Sequence, residues 1–253
     1  GGIVTFIVLI SVQNQQTYSF AKYANSAAMF MLGITLVVAT AYFHTSLRPE
    51  KTFLRLLRRF FRSCEYLMST SPWDPQRSVT RLERWKETFH AHEVANLPGK
   101  LVTWGSVLPP QALGSATQEQ VQMLTTSLQA LAFRMQELIE ARGSQQSELL
   151  VRELVADVRT WRVAVEEIFG RLSKKPQAAE NASLRSRLDA KLTRLEARID
   201  EAFDQADEAS VSVEEAENIY RLLGAHRGVS EALVNYIGSA TVIDWQQWQE
   251  TRF

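Results

Sequence analysis

His90, His92 and Glu93 form the tightest cluster of side chains in the sequence that could bind a metal ion. On a helix, however, the side chains of residues 90 and 92 point about 200° apart, so they cannot share one metal. We therefore interpret the three as exposed polar residues. The sequence predicts no metal site and no cofactor.

Two further reactive side chains fall within apolar helical patterns. His226 shares a predicted stripe with Leu222 and Val229, which favours a hydrogen-bonded core histidine over a ligand. Cys64 is the only cysteine, which rules out an internal disulfide and is typical of a reducing compartment. We interpret Cys64 as a small apolar residue of its helix.

Familiar catalytic motifs are missing from the sequence. It contains no G-x-S-x-G, P-loop, H-E-x-x-H or C-x-x-C pattern. With no catalytic constellation, we predict that the protein is not an enzyme.

The charges of the chain are strongly partitioned, although its formal net charge is zero. Residues 1–47 hold one lysine, no arginine and no acid, whereas residues 63–253 hold 21 bases and 27 acids. The short stretch between them holds one acid, Glu50, and a dense basic cluster: Arg48, Lys51, Arg55, Arg58, Arg59 and Arg62.

An uncharged, mostly apolar stretch runs from Tyr23 to Leu47. A membrane helix needs about 20 apolar residues, so we predict one full span at about 25–45; a buried core helix is the alternative. Gly1–Ser11 is apolar but too short to cross a bilayer, and we interpret it as the end of a preceding membrane helix. Residues 1–47 are thus a predicted transmembrane region with a short periplasmic loop, at the C-terminal end of a longer membrane protein.

The basic cluster predicts the orientation of the chain. Short segments rich in lysine and arginine stay in the cytoplasm, so residues 48–253 should be cytoplasmic. Residues 48–70 form a predicted basic amphipathic juxtamembrane helix, with its aromatic side chains in the headgroup layer and its arginines on lipid phosphates. Nucleic-acid binding is the competing use of an arginine stripe, but the adjacent apolar stretch argues against it.

Residues 71–253 are predicted to form a cytoplasmic helical domain. Apolar residues recur there in three- and four-residue steps, as in coiled coils, and Thr117 and Ser212 begin capping-box patterns. Glycines and prolines interrupt each run, which favours an antiparallel bundle over one long rod. The predicted fold class is therefore all-α. Gly224 and Gly228 are predicted to let two helix backbones approach closely.

Several segments resemble the fusaric acid resistance (FUSC) family. Residues 8–49 contain a Q-N then Y-x-F loop, an N-S-A helix start and a span ending in L-R-P. Further similar segments follow in order: LRRFFRSCEYL at 57–67, LPGKLVTWG at 97–105, SLQALAFRMQELIEAR at 127–142, YRLLGAHRGVSEALVNY at 220–236 and IDWQQWQETRF at 243–253.

This resemblance implies the C-terminal part of an efflux protein of the bacterial inner membrane, exporting aromatic or other organic acids. Its implied partners are membrane lipids, the missing N-terminal membrane helices of the same protein, a periplasmic membrane-fusion protein and further copies in a homo-oligomer. It assigns no substrate-binding residue in this chain. The alternative is a membrane-anchored helical scaffold or assembly module without transport activity.

Overall fold

The computed structural model of the chain describes residues 20–44, 48–70, 80–113, 116–143, 148–176, 181–205 and 212–249. These residues form helices and connecting turns without any strand, so the predicted all-α class is confirmed for them. In chain order the helices are α1 (Phe20–His44), α2 (Pro49–Ser69), α3 (Arg81–Ser106), α4 (Pro110–Leu113), α5 (Gln118–Gly143), α6 (Glu148–Lys174), α7 (Asn181–Gln205), α8 (Val213–Ala240) and α9 (Trp245–Gln249).

The chain divides into two compact units, Gly1–Arg48 and Pro49–Phe253. In the first unit, α1 exposes large apolar side chains such as Met31, Leu32 and Val37. Among the residues that the structure describes, no helix combines the length and apolar character needed to cross a membrane. The side chains of residues 39–47 and the predicted half-helix at Gly1–Ser11 lie outside the described residues. The span at about 25–45 stays a prediction.

The second unit is a closed ring of six long helices. Each packs against two neighbours, in the order α2, α3, α5, α8, α7, α6 and back to α2. Arg59 of α2 pairs with Glu93 of α3, and further along α2 the ring of Tyr66 packs on His90. The two helices therefore run in opposite directions. Leu154, Leu195, Ile199 and Ile219 form a separate small cluster between α6, α7 and α8.

The apolar face of α2 forms the centre of the hydrophobic core of this unit. Phe53, Phe60 and Phe61 are fully buried, and the ring of Phe61 lies 4.8 Å from Tyr236 of α8 and 6.2 Å from Phe169 of α6. The interpretation of these aromatic residues as lipid-facing is therefore wrong. Amphipathic periodicity shows that one face is buried, but a bilayer and a helical bundle satisfy it equally well.

The position of α2 also changes the predicted domain boundary. A separate helical domain was predicted from residue 71, after a distinct juxtamembrane helix at 48–70. The structure instead includes α2 in the second unit, which begins at Pro49. The helical domain depends on α2 for its core.

Several helices begin or end where local sequence patterns predict, whereas others do not. Thr117 and Ser212 each accept a hydrogen bond from the backbone N–H three residues later, confirming both capping boxes. Asp74 followed by Pro75 also predicts a helix start, but these residues lie outside the described ones. Helix α3 begins after Thr80, which caps it through Glu83. The sequence also predicts breaks at Pro98 and Gly170, but α3 continues through Pro98 to Ser106 and α6 continues beyond Gly170 to Lys174.

Replacement of Phe61 by alanine tests the central position of α2. In the fragment 49–253, Phe61→Ala should lower the free energy of unfolding by about 3–5 kcal/mol, because a fully buried ring leaves a cavity. The matched change Phe133→Ala, at a side chain that is 57% exposed, should change it by less than about 0.5 kcal/mol. Urea unfolding followed by circular dichroism measures both. Similar losses in the two variants would contradict this core.

Candidate functional site

A groove lined by positive charge lies along the outer face of α2. It has a volume of about 580 Å³. We call it the basic groove, and its lining residues are Lys51, Leu54, Arg55, Arg58, Arg59, Arg62 and Trp248. Five of the six predicted membrane-surface residues thus share one site, whereas Arg48 belongs to the first unit.

The helix that carries the groove is held firmly at both ends. Pro49 occupies the first helical position, where its missing N–H costs nothing, and Glu50 lies in the first turn. At the other end Arg142 donates to the carbonyl of Leu67 at 3.1 Å, and Arg162 donates to the carbonyl of Ser69 at 2.8 Å. Because the last carbonyls of a helix have no partner within it, these two guanidinium groups complete α2.

Helix α9 supplies the floor of the groove. Trp248 is fully buried, and its ring lies 5.3 Å from Phe53 and 5.2 Å from Trp245 in edge-on contacts. Its indole N–H has no hydrogen-bond partner among the residues that the structure describes. A buried donor left unsatisfied costs about 1–3 kcal/mol, so an acceptor that reached it from the groove would relieve this cost.

The closely spaced positive charges of the groove destabilise the helix that carries them. Lys51, Arg55, Arg58, Arg59 and Arg62 stand three or four residues apart, and each like-charged pair at that spacing destabilises a helix by about 0.2–0.5 kcal/mol. Only Arg59 has a carboxylate partner among the described residues, Glu93 of α3. The other four leave a strong positive potential that an anion could neutralise.

The carboxylate that pairs with Arg59 belongs to a small polar network. The Glu93 side chain is buried, and the hydroxyl of Ser63 donates to it at 2.9 Å. His90 lies with its Nδ1 3.0 Å from the same hydroxyl oxygen. Burial lowers the pKa of His90, while the charge of Glu93 opposes this shift.

The sequence interpretation of residues 90–93 is therefore only partly right. Glu93 is buried and His90 is half-buried, whereas only His92 is exposed. The side chains of Glu93 and His90 both face α2. The spacing of residues along α3 could not show that α2 packs against them. Among the described residues, no three histidine, cysteine or acidic side chains are grouped so that they could hold a metal ion.

The two predicted packing glycines differ in their surroundings. A Cβ added at Gly228 would lie 2.9 Å from Cδ of Arg134, whereas one at Gly224 would meet nothing within 4 Å. Gly224 is therefore not a packing site. The close neighbour of Gly228 is a flexible side chain of α5, so the structure gives no close approach of two backbones there. Cys64 is fully buried, as expected for an apolar helix residue, and burial raises the pKa of its thiol.

His226 is a core histidine, as the sequence predicts. It is buried, its Nδ1 lies 2.6 Å from the carbonyl oxygen of Leu222, and the edge of Trp161 packs against it. The Trp161 indole N–H donates to Ser230, whose hydroxyl donates to the His226 carbonyl. Burial, with a further contribution from the charge of Arg142, lowers the pKa of His226 to about 3.

The lining of the basic groove suits the binding of an anion. Arginine donates paired hydrogen bonds to phosphate or carboxylate oxygens, and the apolar floor can take an uncharged part of the same ligand. No protein-family model, curated protein or solved structure matches the chain.

Acid should destabilise the fragment 49–253 through His226. Between pH 6.5 and about 3 the unfolded chain binds a proton at His226 that the folded chain does not, so stability falls as pH falls. The slope from this group approaches about 1.4 kcal/mol per pH unit. Relative to His226→Phe, the unmodified fragment should lose about 2 kcal/mol between pH 7 and pH 5. Urea unfolding of both proteins gives this difference; parallel pH curves would show that His226 does not stay neutral in the fold.

Proposed function

We propose that the chain is the C-terminal part of an inner-membrane efflux protein that exports aromatic or other organic acids. Its N-terminal segment crosses the membrane once in full at about residues 25–45, and residues 48–253 lie in the cytoplasm. The helical unit serves assembly and attachment at the membrane surface, while most of the substrate path is formed by membrane helices that precede this segment.

The membrane part of the proposal is carried by one observation. Twenty-five residues, from Tyr23 to Leu47, contain no charge, and the six bases of the cluster begin at the next residue. A hydrocarbon-spanning helix followed by cationic residues on the cytoplasmic side follows this pattern. The exposed apolar side chains of α1, such as Leu36 and Val38, also support contact with lipid or with other membrane helices.

The efflux part of the proposal rests on the resemblance to the fusaric acid resistance family. The similar segments occur in order over nearly the whole chain, from residue 8 to residue 253. An organic acid that is ionised at neutral pH cannot cross hydrocarbon unaided, so its export requires a protein route.

A membrane-anchored scaffold is the second candidate, and one feature of α3 favours it. Leu82, Trp85 and Phe89 share one face and remain 61%, 63% and 40% exposed. The rings of Trp85 and Phe89 stack with their centroids 5.8 Å apart. Exposed aromatic side chains of this kind are enriched where proteins bind each other, so this face suits a protein partner.

Deletion of the gene for the full-length protein tests efflux. Cells without it should become more sensitive to hydroxybenzoates or fusaric acid, because the anions formed in the cytoplasm are no longer removed. The intact gene should restore growth, whereas residues 1–253 alone should not. A neutral aromatic alcohol is the control, since it needs no export. Unchanged tolerance to a broad panel of organic acids, in a strain without redundant pumps, would favour the scaffold.

A reporter fused after Phe253 tests the orientation. A fluorescent reporter that folds only in the cytoplasm should be active, and a phosphatase that needs the periplasm should not. Changing Arg55, Arg58, Arg59 and Arg62 to glutamate should weaken this orientation, because it depends on an excess of lysine and arginine. Periplasmic activity in the otherwise unmodified protein would reverse the proposed topology.

A further inference from the structure

We propose that the basic groove binds the phosphate of an anionic phospholipid headgroup. This inference deepens the proposed function, since it rests on the membrane location of the chain. Lys51, Arg55, Arg58 and Arg62 line the groove without a carboxylate partner among the described residues. Arginine side chains bind phosphate through two parallel N–H donors, which a lysine cannot imitate, and three of these four residues are arginines.

The groove is a built site rather than a diffuse field of charge. The opposite face of α2 is buried in the bundle, which fixes the direction of the cationic face. Leu54 and Trp248 close the floor, and the Trp248 N–H is a buried donor that finds no acceptor within the described part of the chain. A phosphate oxygen drawn beneath the flexible arginine side chains would accept from this N–H while the arginines bind the remaining oxygens.

The position of the groove in the sequence favours lipid over a free phosphate. Lys51 follows Leu47 by four residues, which can extend over at most about 14 Å. A membrane span that ends near residue 45 therefore keeps this end of α2 near the headgroup layer. Four to eight basic residues directly cytoplasmic of a membrane helix are typical of segments that bind anionic lipids. The mixed lining also fits a headgroup, whose charged phosphate adjoins an uncharged glycerol.

Lipid retention by the full chain tests the site. The purified chain, in nonionic detergent with added phosphatidylglycerol or phosphatidylcholine, is analysed by native mass spectrometry. The unmodified chain should retain one phosphatidylglycerol in preference to phosphatidylcholine. The triple variant Arg55→Gln, Arg58→Gln, Arg62→Gln should bind it about 100-fold more weakly, at roughly five-fold for each lost cation. Trp248→Phe keeps the charges but removes the N–H donor, and should weaken retention several-fold.

A matched variant separates the groove from overall charge. Arg84→Gln, Arg159→Gln and Arg187→Gln remove three exposed arginines from α3, α6 and α7. This control should retain phosphatidylglycerol within two-fold of the unmodified chain. Unchanged helical circular dichroism in all variants shows that each is folded.

Three results would overturn the inference. One is equal loss of lipid in the groove and control variants, and another is equal affinity for the two lipids. The third is a preference of the groove for inorganic phosphate, hydroxybenzoate or duplex DNA over phosphatidylglycerol. The proposed function fails separately: cells would keep their tolerance to organic acids after gene deletion, although the groove still selects the anionic lipid.

Discussion

The aromatic face of α2 can leave water only where other helices surround it. Phe61 meets Phe169 of α6 and Tyr236 of α8, while Phe53 meets Trp248 of α9. Each large apolar side chain contributes about 1.5–3 kcal/mol on burial, so these contacts fix the rotation of α2 about its own axis. The cations on its other face are then held toward solvent, because burying an unpaired charge would cost far more than the aromatic contacts contribute.

Helix α2 also binds charged side chains that lie inside the bundle. Arg142 of α5 and Arg162 of α6 both reach the last carbonyls of α2, where positive charge also interacts favourably with the helix dipole. Two like charges so close together oppose any further cation, and burial together with the charge of Arg162 lowers the pKa of Arg142 to about 10. His226, buried near Arg142, is kept neutral by this environment. Burial and the two guanidinium groups at the end of α2 thus disfavour a further positive charge in this part of the core.

Local sequence patterns predict the helices well and their neighbours poorly. Capping boxes at Thr117 and Ser212 act within four residues, so the sequence alone contains their whole cause. Pro98 was expected to break the chain, yet Leu97, Pro98 and Leu101 are buried and packing keeps α3 continuous. Tertiary contacts override helix propensity at such positions.

The cations of the candidate site could likewise be predicted from local patterns, but their neighbours could not. The five cations that line the groove could be named from their spacing, because a helix of known period places them on one face. Trp248 could not, because it lies almost two hundred residues further along the chain and no local pattern relates it to α2. Glu93 was missed for the same reason: its partner Arg59 lies on another helix. The apolar periodicity of α2 identified a buried face but not the environment that buries it.

Among the described residues, the pair of Arg59 and Glu93 is the one ion pair of the groove, and it explains why the other cations stay available. Glu93 is buried, accepts a hydrogen bond from Ser63 and pairs with Arg59, so its charge is already satisfied within the protein. It fixes Arg59 against α3 and neutralises little of the positive potential of the other cations. Arg55, Arg58 and Arg62 repel one another across three- and four-residue steps, and a shared anion converts that repulsion into attraction. Because a phosphate has several oxygens, it can accept from more than one guanidinium group at once, whereas isolated surface ion pairs contribute little. An external anion in the groove would therefore recover part of the free energy that the helix loses to crowded charge.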